Sequence, residues 1–176
     1  MTGGTPRIPN SLLIAHSLIG PKRRVFFSFH YARDAWSVGQ IRNSWIGNPR
    51  HEAQPFLDKA QWETIQRRGD AAIRTWINTQ MTGTSVTVVL IGPQTLGRPW
   101  VQYEIDRSQK EGKGLLGITM EGMKQSNGQL DNWTQYTAYG PFTQPYNTAP
   151  IYSWVHDNGR QNMSQWIEAA AKRAGR

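Results

Sequence analysis

Apolar residues along this chain follow two different periods. Val25 to Phe29 and Val86 to Ile91 are short, nearly unbroken runs rich in β-branched and aromatic residues, the pattern of strands buried on both faces of a parallel sheet. Leu115 to Thr119 and Ile151 to Val155 are further runs of the same kind, and a weak second strand passes through Phe56-Leu57. Between them the spacing lengthens to three and four. Ala35, Val38, Ile41 and Trp45 predict a helix capped by Asp34 and ended by Gly47-Asn48-Pro49. From Gln61 to Met81 a stripe of Trp62, Ile65, Ala72, Ile73, Trp76, Ile77 and Met81 predicts helix, broken at Gly69 with Asp70 capping its second half. A third helix runs from Trp100 to Glu111 and stops before Gly112. Met163, Trp166, Ile167, Ala170, Ala171 and Ala174 line a closing one. This order predicts an α/β fold, an open parallel sheet with helices on both faces, in which Val25–Phe29 and Val86–Ile91 are central neighbours.

At 176 residues the chain fits one domain with a sizeable core. Residues 1–21, with Gly3-Gly4, Pro6 and Pro9, read as an extension (a docking arm, a short helix or a frayed terminus), and residues 22–176 as the domain. Residues 121–150 break the rhythm: they are rich in Gly, Pro, Asn, Gln and Thr, with Trp133, Tyr136, Tyr139, Phe142 and Tyr146 interspersed, which fits a lid, a contact surface or an aromatic-pinned loop. There are no cysteines, which excludes disulfides, thiolate zinc sites and cysteine nucleophiles. The four histidines are too dispersed for metal-ligand spacing, so no metal is expected. No apolar run approaches the roughly 18 residues of a membrane span, so the expectation is a cytoplasmic protein without a membrane partner. The net charge of +8 raises nucleic acid as a partner, but the basic residues are scattered and no DNA- or RNA-reading motif accompanies them, which argues against it. The same positive field attracts an anionic dinucleotide equally well, and a plain solubility role is the first reading of the charge.

Ligands of open parallel sheets bind beyond the carboxyl ends of the strands. That rule gathers Phe29, His30, Tyr31 and Arg33 after the first strand and Gly92-Pro93 after the third around one crevice. Phe29 or Tyr31 would stack on a base, and His30 or Arg33 would meet a pyrophosphate; as core aromatic and strand-end histidine, Phe29 and His30 have structural readings of equal weight. The helix opening at Pro99 carries Glu104 four residues after Trp100, so both project from the same face. By spacing alone, Glu104 reads as a solvated helix glutamate with little weight in folding. Trp62 and Asp70 are weaker candidates for the site, read first as packing and capping residues. No G-x-G-x-x-G or Walker loop is present, which argues against a dehydrogenase or an NTPase.

Arg24-Val-Phe-Phe-Ser-Phe-His30 resembles the opening strand of TIR domains, and Trp100-Val-Gln-Tyr-Glu-Ile105 resembles the W-V-x-x-E-I helix that carries their catalytic glutamate. Gly112-Lys-Gly-Leu-Leu-Gly-Ile118 matches their next strand. Arg42-Asn-Ser-Trp45, Thr84 to Gly92 and Tyr152 to Gly159 look more specifically like the TIR-like subfamily that includes the ThsB subunit of Thoeris antiphage systems. The resemblance spans about residues 22–170 and departs from the TIR pattern at 46–60 and 121–150.

It implies a flavodoxin-like fold and an enzyme that cleaves NAD, as substrate and not cofactor, into an ADP-ribose-derived, cyclic signalling nucleotide sensed by a downstream effector. Glu104 would be the catalytic carboxylate, partly desolvated and turned toward the strand ends rather than to bulk water, with Trp100 a wall of the site and Asn43 a ribose or amide contact or else a helix C-cap. Cleavage of the nicotinamide–ribose bond needs no general acid, because the departing ring already carries the positive charge. One carboxylate that stabilises the oxocarbenium-like ribose suffices, where glycosidases need a second group to protonate the leaving oxygen. Two other classes stay open: a non-catalytic module that works by assembling with its own kind as a homo-oligomer, and a nucleoside ribosyltransferase-like enzyme.

Overall fold

The computed structural model describes residues 23–47, 51–55, 59–130 and 149–176. Five parallel strands form one sheet in the order β2-β1-β3-β4-β5: β1 (Arg23–Ser28), β2 (His51–Ala53), β3 (Val86–Ile91), β4 (Gly114–Thr119) and β5 (Ile151–Ser153). The helices are α1 (Tyr31–Ile46), α2 (Lys59–Arg67), α3 (Asp70–Met81), α4 (Pro99–Lys110) and α5 (Gly159–Arg173). This is an α/β, flavodoxin-like arrangement. The expected central pair is adjacent, with Val25 opposite Val86 and Ser28 opposite Val89. β3 is buried at all six positions, as its continuous apolar run requires.

Alternation along β1 divides the core. Val25 and Phe27 pack with Val38, Ile41 and Trp45 of α1 and with Met163, Ile167 and Ala171 of α5. Phe26 packs with Ile73, Ile77 and Met81 of α3 in a second cluster, flanked by Trp62, Trp76 and Trp100. Ser28, two residues after Phe26, shares its side of the sheet and meets α4. The break between α2 and α3 falls where Gly69 adopts φ +84°, a left-handed conformation that a side chain disfavours. Lys113, just ahead of β4, is buried; its Nζ donates to the carbonyls of Met81 (2.9 Å) and Thr84 (2.7 Å) at the end of α3.

Four local expectations need correcting. The second strand lies at His51–Ala53, whereas Phe56 and Leu57 fall outside the described residues. Asp34 does not cap α1: His30 holds the N-cap position, and the Asp34 carboxylate, 3% exposed, accepts a hydrogen bond from Thr95 Oγ1 (3.0 Å). Asp70 is the first residue of α3, with Gly69 at its N-cap. The last strand is shorter than expected and ends at Ser153. Residues 1–22 and 131–148, hence the extension and the aromatic-rich part of the insert, lie outside the described residues. Among the described residues no helix is long and apolar enough to cross a membrane.

Candidate active site

The strand order reverses between β1 and β3, and in sheets of this kind the crevice at such a reversal is the usual ligand site. A cavity of about 230 Å³ opens there, at the carboxyl end of β1. Phe26, Phe27 and Phe29 form its strand side, and the start of α1 adds His30, Tyr31 and Ala32. The start of α4 adds Arg98, Trp100, Val101 and Glu104, while Trp62 and Gln66 of α2 and Trp76 of α3 close the remaining wall.

Aromatic rings run along this wall in a ladder. Phe29 stacks on Tyr31 at 4.6 Å between centroids, Tyr31 stacks on Trp62 at 4.9 Å, and Trp62 meets Trp76 edge-on at 5.7 Å. Trp62, read from the sequence as packing, is therefore both packing and cavity wall.

Glu104 is 7% exposed. The solvated position that spacing alone suggests is not the one observed: α4 lies against the sheet with Val101, Glu104, Ile105 and Ser108 inward, which gives the partly desolvated carboxylate that the TIR resemblance calls for. Burial lifts its pKa from 4.5 to about 8, against a smaller downward pull from the Ser28 hydroxyl, which donates to Glu104 Oε2. Burial therefore favours the protonated carboxyl near neutral pH. His30 is held below the usual histidine range, first by burial and then by the positive charges of Arg98 and Arg33. Its Nδ1 is buried without a hydrogen-bond partner.

Of the residues singled out in the sequence, Phe29, His30, Tyr31, Trp100 and Glu104 come together around the cavity. Arg33 and Asn43 do not line it. Arg33 is exposed on the next face of α1, although its charge still reaches His30. Asn43 is exposed three turns from the cavity end of α1, where its carbonyl accepts the Gly47 N–H at 3.2 Å. Its neighbour Arg42 is the inward member of that motif: its buried guanidinium donates to the Gln54 carbonyl. Gly92-Pro93 also stand away from the cavity, because Gly92 packs under Asp34, whose carboxylate occupies the space a Cβ would need.

The sequence reading missed Ser28, Gln54 and Arg98. Ser28 carried a usable signal, since strand alternation puts it on the face of Phe26 and of the helix bearing Glu104. Arg98 stands directly before the helix-opening Pro99, a position that a ligand at the helix start would meet. Gln54 gave none. Its side chain takes the place of a missing strand residue: Oε1 accepts the Phe27 N–H (3.0 Å) and Nε2 donates to the Phe27 carbonyl (2.8 Å), prolonging the ladder beyond β2.

The family described as Thoeris protein ThsB, TIR-like domain, has a model that matches residues 26–125, more than half of the chain. The chain belongs to this family. It is also similar to a protein of Bacillus cereus (strain MSX-D12) named "Putative cyclic ADP-D-ribose synthase ThsB1", with 29% identity over 191 residues, covering 82% of this chain and 98% of that one. For a member of this TIR-like family, the match holds the cavity lining from Phe26 to Glu104, including the ladder and Arg98.

Proposed function

We propose that this chain cleaves NAD and joins the ADP-ribosyl part into a cyclic signalling nucleotide, with Glu104 as the catalytic residue, and that the product is sensed by a separate effector in Thoeris defence. The observation that carries the reading is a single buried carboxyl facing an aromatic-walled cavity at the switch point of the sheet. The printed name of the relative, a cyclic ADP-D-ribose synthase, supports the substrate and the product class.

In the proposed reaction the bond between ribose C1 and the pyridinium nitrogen breaks, and its electron pair leaves with the ring, which departs neutral. Positive charge passes to the ribose. Ionised Glu104 stabilises that charge at short range in a dry site, where such an interaction is worth most. A nucleophilic atom of the same molecule then gives its lone pair to C1 and closes the ring, taking over the positive charge or releasing it as a proton to solvent; capture by water would give ADP-ribose and a proton instead. The ladder supplies stacking surface for the planar groups. Arg98 and the amino end of α1 supply positive potential for the pyrophosphate. The raised pKa of Glu104 fits this scheme: a cationic ring entering beside it favours the carboxylate, so binding releases the proton to solvent and creates the charge the transition state needs.

The test is nicotinamide release from NAD, with mass spectrometry of the products, using purified protein and infected cells that express it. Wild type should release nicotinamide together with a compound isobaric with dehydrated ADP-ribose. Glu104→Gln should lose at least two orders of magnitude in rate, since it deletes the charge but keeps the shape. Equal turnover by the two would refute the assignment. Antiphage protection by an inactive Glu104→Gln would favour an assembling, non-catalytic module.

A further inference from the structure

We propose that Ser28 is a positioning residue for this reaction: from the strand beneath the cavity its hydroxyl holds one oxygen of Glu104 and leaves the other for the ribose. The inference rests on the reading of Glu104 as the catalytic group and goes beyond it.

Ser28 interrupts an otherwise apolar run, Val25-Phe-Phe-Ser-Phe29, in a central strand, and it is 1% exposed. A buried hydroxyl needs a partner. Ser108, equally buried, finds a local one in the Glu104 carbonyl at 2.7 Å and a second contact in Thr87 Oγ1 at 2.7 Å. Ser28 instead reaches across from the sheet to α4 and donates to Glu104 Oε2. Among the described residues this is the hydrogen bond that the Glu104 carboxyl makes.

A glutamate carries three side-chain torsions, and next to a cavity of about 230 Å³ an untethered carboxyl would sample several of them. Reaction geometry tolerates little of that motion. One bond from the rigid strand removes most of it. The same bond favours the ionised form, because a hydroxyl donates more strongly to a carboxylate than to an acid. The other charged or titratable groups lining the cavity are His30 and Tyr31 at the start of α1 and Arg98 ahead of α4. α2 and α3 contribute Trp62, Gln66 and Trp76, none of which titrates. Removing the Ser28 hydroxyl leaves all of these in place, so a change in the pH profile reports on Glu104.

The experiment measures kcat and KM for nicotinamide release from pH 5.5 to 9.5 in wild type, Ser28→Ala, Ser28→Thr and Glu104→Gln. Ser28→Ala should lower kcat near neutral pH roughly ten- to a hundredfold, the worth of a hydrogen bond to a charged group. KM should stay within about threefold, and the acidic limb of the profile should move up by about one pH unit. Ser28→Thr should restore the wild-type profile. If Ser28→Ala does not fold, Ser28→Thr and Ser28→Val form an isosteric pair that isolates the hydroxyl, and only the valine variant should show the shifted limb. A Ser28→Ala or Ser28→Val profile that overlays wild type, with Glu104→Gln inactive, overturns the role of Ser28 alone. A fully active Glu104→Gln overturns the catalytic reading beneath it.

Discussion

Glu104→Gln should make the fold more stable at alkaline pH, not less, and the size of the effect follows from its burial. The carboxyl is protonated in the folded chain up to about pH 8, whereas in the unfolded chain it ionises near 4.5. Over that window the native state holds a proton that the unfolded state has lost, so stability falls as pH rises. The contribution is fully present below about pH 4.5 and gone above about pH 8. At about 1.36 kcal/mol per unit, the full shift corresponds to roughly 4–5 kcal/mol, an upper bound if water or side-chain movement relieves the buried charge. Glutamine has no such window, because its amide stays neutral and can still accept from Ser28. The two proteins should therefore unfold alike at pH 5 and diverge toward pH 9. Half of the upper bound would already separate their melting temperatures by about 5–9 °C for a chain of this size. Thermal unfolding followed by circular dichroism at half-unit steps reads this directly. His30 and every other titrating group is common to both chains and cancels in the difference. Parallel curves from pH 5 to 9 would show that Glu104 is hydrated or ionised in solution and would undo the argument from burial.

Three further outcomes follow from particular contacts. Gln54→Leu strips Phe27 of both hydrogen bonds at the end of β1 and should cost about 2–4 kcal/mol in urea unfolding, with faster amide exchange at Phe27; unchanged exchange there would refute the strand-substitute role. Lys113→Met keeps the buried stem but removes the ammonium that donates to the Thr84 carbonyl and, beside the bonds from Thr84 itself, to the Met81 carbonyl, a loss of about 1–3 kcal/mol that an unaltered urea midpoint would contradict. Trp62→Ala removes the stack on Tyr31 and the edge contact with Trp76, so it should cost about 2–4 kcal/mol of stability and raise KM for NAD severalfold; an unaltered KM would take the ladder out of the ligand site.

The fold was most legible where one signal served both local and global demands. β3 is buried on both faces, so its apolar run needed no partner information, and its expected span and the observed one coincide. The α2–α3 break was legible because one glycine had to supply the left-handed turn. β2 was not legible for the opposite reason. It is a three-residue edge strand of His, Glu and Ala, held by backbone pairing to Arg23–Val25, while the apolar Phe56-Leu57 nearby drew the expectation away. Asp34 misled in another way. Its type and position suit a cap, and only the packing of Thr95 beneath β3 turns its carboxylate inward.

The candidate site divides along the same line. Its identity lay in short motifs: the strand end Phe29-His30-Tyr31 and the Trp100–Glu104 spacing each place side chains by local geometry alone, and those residues do meet around the cavity. Its electrostatics lay in tertiary contacts. Helical spacing puts Glu104 on the face of Trp100, but whether that face is wet depends on how α4 seats against β1 and β3, which no local pattern encodes. The difference between Asn43 and Arg42 is a single step of about 100° around α1, enough to exchange an exposed amide for a buried guanidinium that braces Gln54, and through it the strand holding Ser28. A solvated Glu104 would be permanently ionised and screened by water. Burial holds the pKa of the actual one at about 8, so in the proposed reaction a positively charged ring in the cavity would favour its ionised form. Burial at this position thus weakens the fold at high pH and, in the proposed reaction, couples the carboxylate's charge to a bound cationic ring, two consequences of one desolvated carboxyl.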